Sequence, residues 1–295
     1  MPNPSYSSRL CTVLVQHSLR CLLATLLAGC SSPMTTDDSI TRQRLTALLP
    51  TDALLLGEQH DAPDHQRIER EVVQVLAARH ELAALALEMA EQGRSTAALP
   101  RDASADAVRA ALQWRDRDWP WATYGGAVML AVRADVPVLG ANLPRAQMRA
   151  AMEDRQLELR LKGPALKAQQ QRIRLGHCEL LPEGQITPMT RIQIARDIAM
   201  AQTVSGAAVP GKTVLLLAGA GHVDRHLGVP QHLPTNFTSK SAGLVGPAEL
   251  GAADTLASFD AVWPARPAPE KDHCAEFEAS RAKAKAKLPE TPSQP

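Results

Sequence analysis

Two short segments of this sequence place a histidine three residues after a glycine, each directly behind an apolar run. They are Gly57-Glu58-Gln59-His60 and Gly219-Ala220-Gly221-His222. Glycine allows the backbone to turn sharply at such a point. Glu58 lies inside the first motif, and Glu88 closes another apolar run in Glu88-Met89-Ala90-Glu91. Imidazole and carboxylate together suit a divalent metal ion or acid–base work. His60, Glu88 and His222 are therefore the candidate metal ligands, and with Glu58 they form the candidate catalytic set of a hydrolase. A single histidine at a strand end is more often a hydrogen-bonded rim residue than a ligand. The repeated motif is what brings the ligand reading of this pair level with that one.

The chemistry requires elements that bring these segments to one edge. Ala53-Leu54-Leu55-Leu56 is a short buried strand ending at Gly57. A helix follows with Asp61 or Asp64 as its cap, and Ile68, Val72, Val75 and Leu76 share one helical face. Leu82 to Leu87 is a second strand, and Val136-Pro137-Val138-Leu139, ending at Gly140-Ala141-Asn142, a third. Helices are expected over Ala105–Trp114 and Tyr124–Ala134. Residues 144–180 read as a helical insertion broken at Gly163-Pro164. Thr187-Pro188 is a cap and first-turn pair for a helix reaching about Val204, with Ile194 and Ile198 on its buried face. Thr213 to Leu217 is the clearest strand, and weaker strands lie near Gly243-Leu244-Val245 and Phe259–Val262. Apolar strands alternating with amphipathic helices predict an α/β fold, a largely parallel sheet with helices on both faces. Ligands bind such sheets at the carboxyl ends of the strands, where both Gly-x-x-His motifs fall.

Several sharper motifs fail on context. Gly206-Ala207-Ala208-Val209-Pro210-Gly211-Lys212-Thr213 matches a phosphate loop letter for letter, but it follows a helix and opens a strand, the reverse of what that loop needs. Asp224 stands where a dinucleotide fingerprint beginning at Gly219 wants its third glycine. Val223 occupies the place of the catalytic glutamate in a zincin reading of His222 and His226. No Gly-x-Ser-x-Gly elbow exists.

With 32 basic against 31 acidic residues and a formal charge of +1, the 295-residue chain has no basic surplus for a nucleic-acid backbone. Its nine aromatic residues are few, yet Trp114, Trp119, Trp121 and Tyr124 fall together. Such a cluster is either core or a wall for a flat apolar ligand.

The N-terminus reads as an export signal over residues 1–29. It carries Arg9, Arg20 and an apolar run from Cys21 to Ala28, too short for a span of about 20 residues. Leu27-Ala28-Gly29-Cys30 resembles the lipobox of bacterial lipoproteins, with Cys30 the lipidated residue. Ser31 after it favours the outer membrane, facing the periplasm. Residues 30–42 are expected to be a tether, 43–266 a single α/β domain, and 267–295 a Pro-, Lys- and Ala-rich tail, disordered from about 280. Beyond Cys30 only Cys178 and Cys274 remain, following His177 and His273. An exported pair favours a disulfide, which in the chain-entropy model contributes about 4–5 kcal/mol for so long a loop. A zinc site built from both His-Cys pairs is the rival.

Taken together, Leu-Leu-Gly-Glu-Gln-His-Asp-Ala-Pro-Asp-His at 55–65, Leu-Glu-Met at 87–89, Trp-Pro-Trp-Ala-Thr-Tyr at 119–124, Ala-Asn-Leu-Pro-Arg at 141–145, Gly-Ala-Gly-His-Val at 219–223 and Leu-Gly-Val-Pro at 227–230 resemble the ChaN family of haem-binding lipoproteins. That family shares a superfamily with Tiki metalloproteases, TraB-like proteins and erythromycin esterases. The resemblance spans roughly residues 45–240. It implies haem as cofactor, bound between protomers of a homodimer, and an outer-membrane haem transporter as partner. Carried onto this chain, it implies Tyr124 as phenolate ligand to iron, His222 or His60 as second contact, Trp121 in the haem wall and Arg145 at a propionate. The alternative from the Tiki branch is a metal-dependent hydrolase using Glu58, His60, Glu88 and His222. A third reading is an envelope scaffold whose histidines only cap the sheet.

Overall fold

The computed structural model describes residues 36–286. The export signal, Cys30 and the last residues of the tail lie outside that range. Six strands form one sheet: β1 (Ala53–Glu58), β2 (Leu82–Glu91), β3 (Val138–Asn142), β4 (Thr213–Gly219), β5 (Ser239–Val245) and β6 (Ala261–Pro264). Their order is β3-β2-β4-β1-β5-β6, and every neighbouring pair is parallel.

Strand side chains alternate between two cores, as the two-residue repeat requires. Leu54, Leu56, Leu85, Leu87, Leu215 and Leu217 enter one layer. Ala53, Leu55, Ala84, Ala86, Val214, Leu216 and Ala218 enter the other. Because both faces are covered, the strands read as continuous apolar runs. Each fully buried leucine contributes roughly 1.5–3 kcal/mol.

The first layer is closed by α1 (Thr36–Leu48), α2 (Pro63–Ala78), α3 (Ala105–Leu112) and α4 (Trp121–Arg133). Ile68, Val72, Val75 and Leu76 are all buried there, as their spacing predicts. The insertion forms α5 (Arg145–Glu153), a 3-10 turn (Arg155–Arg160) and α6 (Gly163–Gly176). Helix α7 (Glu183–Gly206) lies on the second layer through Met200, Ala201 and Val204. Helices α8 (Ala253–Ser258) and α9 (His273–Ala286) complete the chain.

Several boundaries differ from the sequence expectation. Helix α2 has neither Asp61 nor Asp64 as cap; its cap residue is Ala62, and Pro63 opens the first turn, where a missing N–H costs nothing. Helix α7 begins at Glu183, so Pro188 is interior rather than first-turn. Strand β2 runs on to Glu91 through a register shift against β3 after Leu87. Helix α1 begins at Thr36, inside the expected tether, and α9 continues past residue 280.

The topology fixes where the two motifs meet. From β1 the chain crosses toward β2, and from β4 it crosses the other way toward β5, although β1 and β4 are neighbours. The two following loops therefore start side by side at one sheet edge and cross past each other, the Ala220 amide donating to the Glu58 carbonyl at 2.9 Å. Gly57 makes the close approach possible, since a Cβ there would lie 2.4 Å from Val223 and 3.0 Å from the Ala220 backbone.

Candidate functional site

Glu58, the last residue of β1, is the buried anchor of the site. Its Oε1 accepts from the Tyr124 hydroxyl at 2.8 Å and lies 2.8 Å from His60 Nδ1. Its Oε2 accepts from Gln66 Nε2 at 2.5 Å. Glu69, one turn further along α2, is buried beside it. Burial, then the charge of Glu58, pushes the Glu69 carboxyl well above its usual range. Three hydrogen bonds thus fix the carboxylate, and the carboxylate fixes the His60 ring.

The other half is centred on Glu88, also buried. Its Oε1 accepts from Arg196 at 2.5 Å and lies 3.4 Å from His222 Nε2. Its Oε2 accepts from the Gly219 amide at 2.7 Å and lies 3.7 Å from His60 Nε2. One carboxylate therefore stands between the two imidazoles, one on each oxygen. The His60 ring also lies over Gly219, where a Cβ would sit 3.0 Å from Nε2. The expectation that His60 and His222 share one rim holds.

The two histidines differ in setting. His222 is buried, with Nδ1 2.5 Å from Asp197 and Gln193 within 3.0 Å of the ring. Burial favours neutral imidazole, but Glu88 and Asp197 outweigh it and raise the pKa to about 9. Glu88 responds in kind: burial would raise it, yet His222, Arg196 and His60 hold it well below the usual range. His60 keeps 38% of its side chain exposed and packs edge-on against Trp119, ring centroids 4.7 Å apart. Desolvation pulls its pKa down, but the hydrogen bond to Glu58 and the charges of Glu88 and Glu58 raise it overall.

Beside His60 a cleft of about 340 Å³ opens between β2, β3 and the Trp114–Trp119 turn. Glu88 and Trp119 form its inner wall, with Arg145, Arg115 and Asp118 at the rim. Arg115 and Arg145 each reach Asp118 Oδ2 at 2.6 Å, so two guanidinium groups share one carboxylate oxygen. On the other side of the His60 loop a second cleft, of about 450 Å³, is lined by Glu58, Gln59, Arg172, Ala220, Leu244 and Phe259.

With this geometry established, comparison with known proteins becomes informative. The family described as haem-binding uptake, Tiki superfamily, ChaN matches residues 45–233. The chain belongs to that family. Among solved structures, ChaN of Campylobacter jejuni, studied for cofacial heme binding, is 24% identical. The match covers 78% of this chain and 92% of that one, with a TM-score of 0.62. The type III effector HopBA1 matches at 16% identity over 73% and 88%, with a TM-score of 0.41. A search of curated proteins gives no match.

Haem is the ligand of the ChaN family, and the donors present suit it. His60 is an imidazole reachable from solvent, Trp119 stands beside it as an aromatic wall, and the Arg115–Arg145 pair is suited to carboxylates. The other predicted residues stand as follows. Tyr124 is buried behind Glu58, and burial, then the Glu58 charge, raises its pKa, so no phenolate faces solvent. Trp121 packs edge-on against Trp114, ring centroids 5.1 Å apart, with Arg109 over its ring, while Trp119 is the indole against His60. His60 and His222 stand with Nε2 3.7 Å and 3.4 Å from the two Glu88 oxygens, and among the described residues no group of three His, Cys, Asp or Glu is arranged to hold an ion. Arg196 brings a positive charge to Glu88, its guanidinium 2.5 Å from Oε1.

Sequence reading missed Gln66, Glu69, Gln193, Arg196 and Asp197. The last three share a face of α7 by their spacing of three and four, the signal that was available. Cys178 and Cys274 form the expected disulfide, not a zinc site.

Proposed function

We propose that this chain is a lipid-anchored haem-binding protein of the bacterial envelope that assists haem acquisition, with haem shared between protomers of a homodimer. One observation carries the reading. Of the two rim histidines, His60 alone is open to solvent, oriented through Nδ1 and walled by an indole. A cleft of about 340 Å³ is near the lower end of ligand pockets, roughly 300–1,000 Å³, so a macrocycle would lie across its mouth. His60 would hold the haem, Trp119 would stack beside it, and Arg145 with Arg115 would face its carboxylates. When bound, haem would supply an iron centre for an imidazole nitrogen. Glu58 orients that imidazole, and Glu88 with Arg196 and His222 keeps the floor of the site rigid.

Anchoring at Cys30, an outer-membrane address and a transporter as partner rest on the sequence motifs and family membership. The test is a haem titration of the mature protein followed by the Soret band. Wild type is expected to shift the band, Tyr124→Phe to behave like it, and His60→Ala to bind at least tenfold more weakly. No shift in wild type, or an unchanged titration in His60→Ala, sinks the assignment.

A further inference from the structure

We infer that residues 266–286 form a strap latched by the Cys178–Cys274 disulfide against the loop that carries His60, and that a dithiol reductant releases it. Leaving β6, the chain passes the start of α2, where the Arg266 amide donates to Asp64 Oδ2 at 2.8 Å. It next reaches Asp61, the residue after His60. Lys271 Nζ lies 3.5 Å and His273 Nε2 3.3 Å from Asp61 Oδ2. That oxygen is itself buried and makes no hydrogen bond. The next residue, Cys274, is bonded to Cys178 at the end of α6, 96 positions earlier.

Helix α9 has little else to hold it. Of residues 273–283 all but Phe277 are exposed, and Phe277 packs edge-to-face with the His177 ring, centroids 5.5 Å apart. Arg281 donates to the Leu180 carbonyl. A 14-residue helix without a buried face is marginal on its own in water. Cys178 and Glu179 also adopt φ of +56° and +57°, a left-handed conformation that side chains disfavour, so the joint is held rather than relaxed.

The far end of the latch reaches the other histidine loop. Arg172 of α6 pairs at 2.6 Å with buried Asp224, two residues after His222. The disulfide thus links a segment resting on the His60 loop to a helix resting on the His222 loop. Among the described residues none of 273–283 belongs to either core layer, and the strap lies beyond the family-matched residues 45–233. Cutting the S–S bond therefore removes no core packing. The reductant supplies two electrons and two protons, two thiols form, and the reductant becomes the disulfide. Cys274 is exposed and open to attack. The inference does not require that His60 bind haem.

Hydrogen exchange of the mature protein, oxidised and dithiothreitol-reduced, tests it, with the Cys178→Ser/Cys274→Ser variant as a second route to the open state. Reduction is expected to speed exchange several-fold in segments 59–66 and 267–286, leaving strand segments 53–58 and 213–219 unchanged. Lys271→Ala/His273→Ala, with the disulfide intact, should speed 59–66 alone. Unchanged exchange over 59–66 in either case overturns the strap. So does acceleration throughout the strands, which would make the disulfide a staple of the whole fold.

Discussion

His60 and His222 occupy equivalent places, three residues after a glycine at the ends of adjacent strands, yet they have opposite characters. Helix α7 covers the β4 loop and brings Asp197, Gln193 and Arg196 to His222 and Glu88, so His222 is a buried, charged strut. The β1 loop is faced by the Trp114–Trp119 turn instead, so His60 keeps solvent on one side and Glu58 on the other. A motif at a strand end fixes where a side chain starts. What packs over the loop decides whether it becomes structure or ligand.

Breaking the strut should cost most. His222→Ala leaves buried acids facing the missing cation, and denaturant unfolding should show a loss of roughly 3–5 kcal/mol. His60→Ala, at a half-open site, should lose about 1.5 kcal/mol, the value of one hydrogen bond to a buried carboxylate. Equal losses would erase the distinction between the two residues.

The same contrast should appear with pH. His222 has its folded pKa raised to about 9 from 6.5, so its contribution is fully present below pH 6.5 and is lost as pH rises through about 9. The change approaches ~3 kcal/mol. Thermal unfolding followed from pH 6 to 10 should fall across that window in wild type and flatten in His222→Gln. An unaltered profile in the variant would assign the titration elsewhere.

The smallest effect sharpens the His60 side. Tyr124→Phe removes one of the hydrogen bonds that hold Glu58 and should cost about 1 kcal/mol. Because the phenol faces Glu58 and not solvent, ligand titrations should not change. A large loss of haem affinity would restore Tyr124 as a ligand.

Much of the fold was legible because burial on both faces of a parallel sheet leaves uninterrupted apolar runs, as in Leu54-Leu55-Leu56 and Leu215-Leu216-Leu217. Boundaries were less so. Pro188 looked like a first-turn proline because local preference cannot see that α7 begins a turn earlier. Trp121 and Trp119 were indistinguishable in the sequence, two indoles two residues apart; a helix start turns one edge-on to Trp114 and leaves the other against His60.

The order of residues alone determined the strands, the paired Gly-x-x-His turns and the two cysteines, since each depends on local pattern or on counting. Only the folded chain decided that Arg196 would pair with Glu88, that Tyr124 would face inward, and that the C-terminal segment would rest on Asp61. Those outcomes depend on which surfaces meet across 66 positions or more, and no local preference encodes such a meeting.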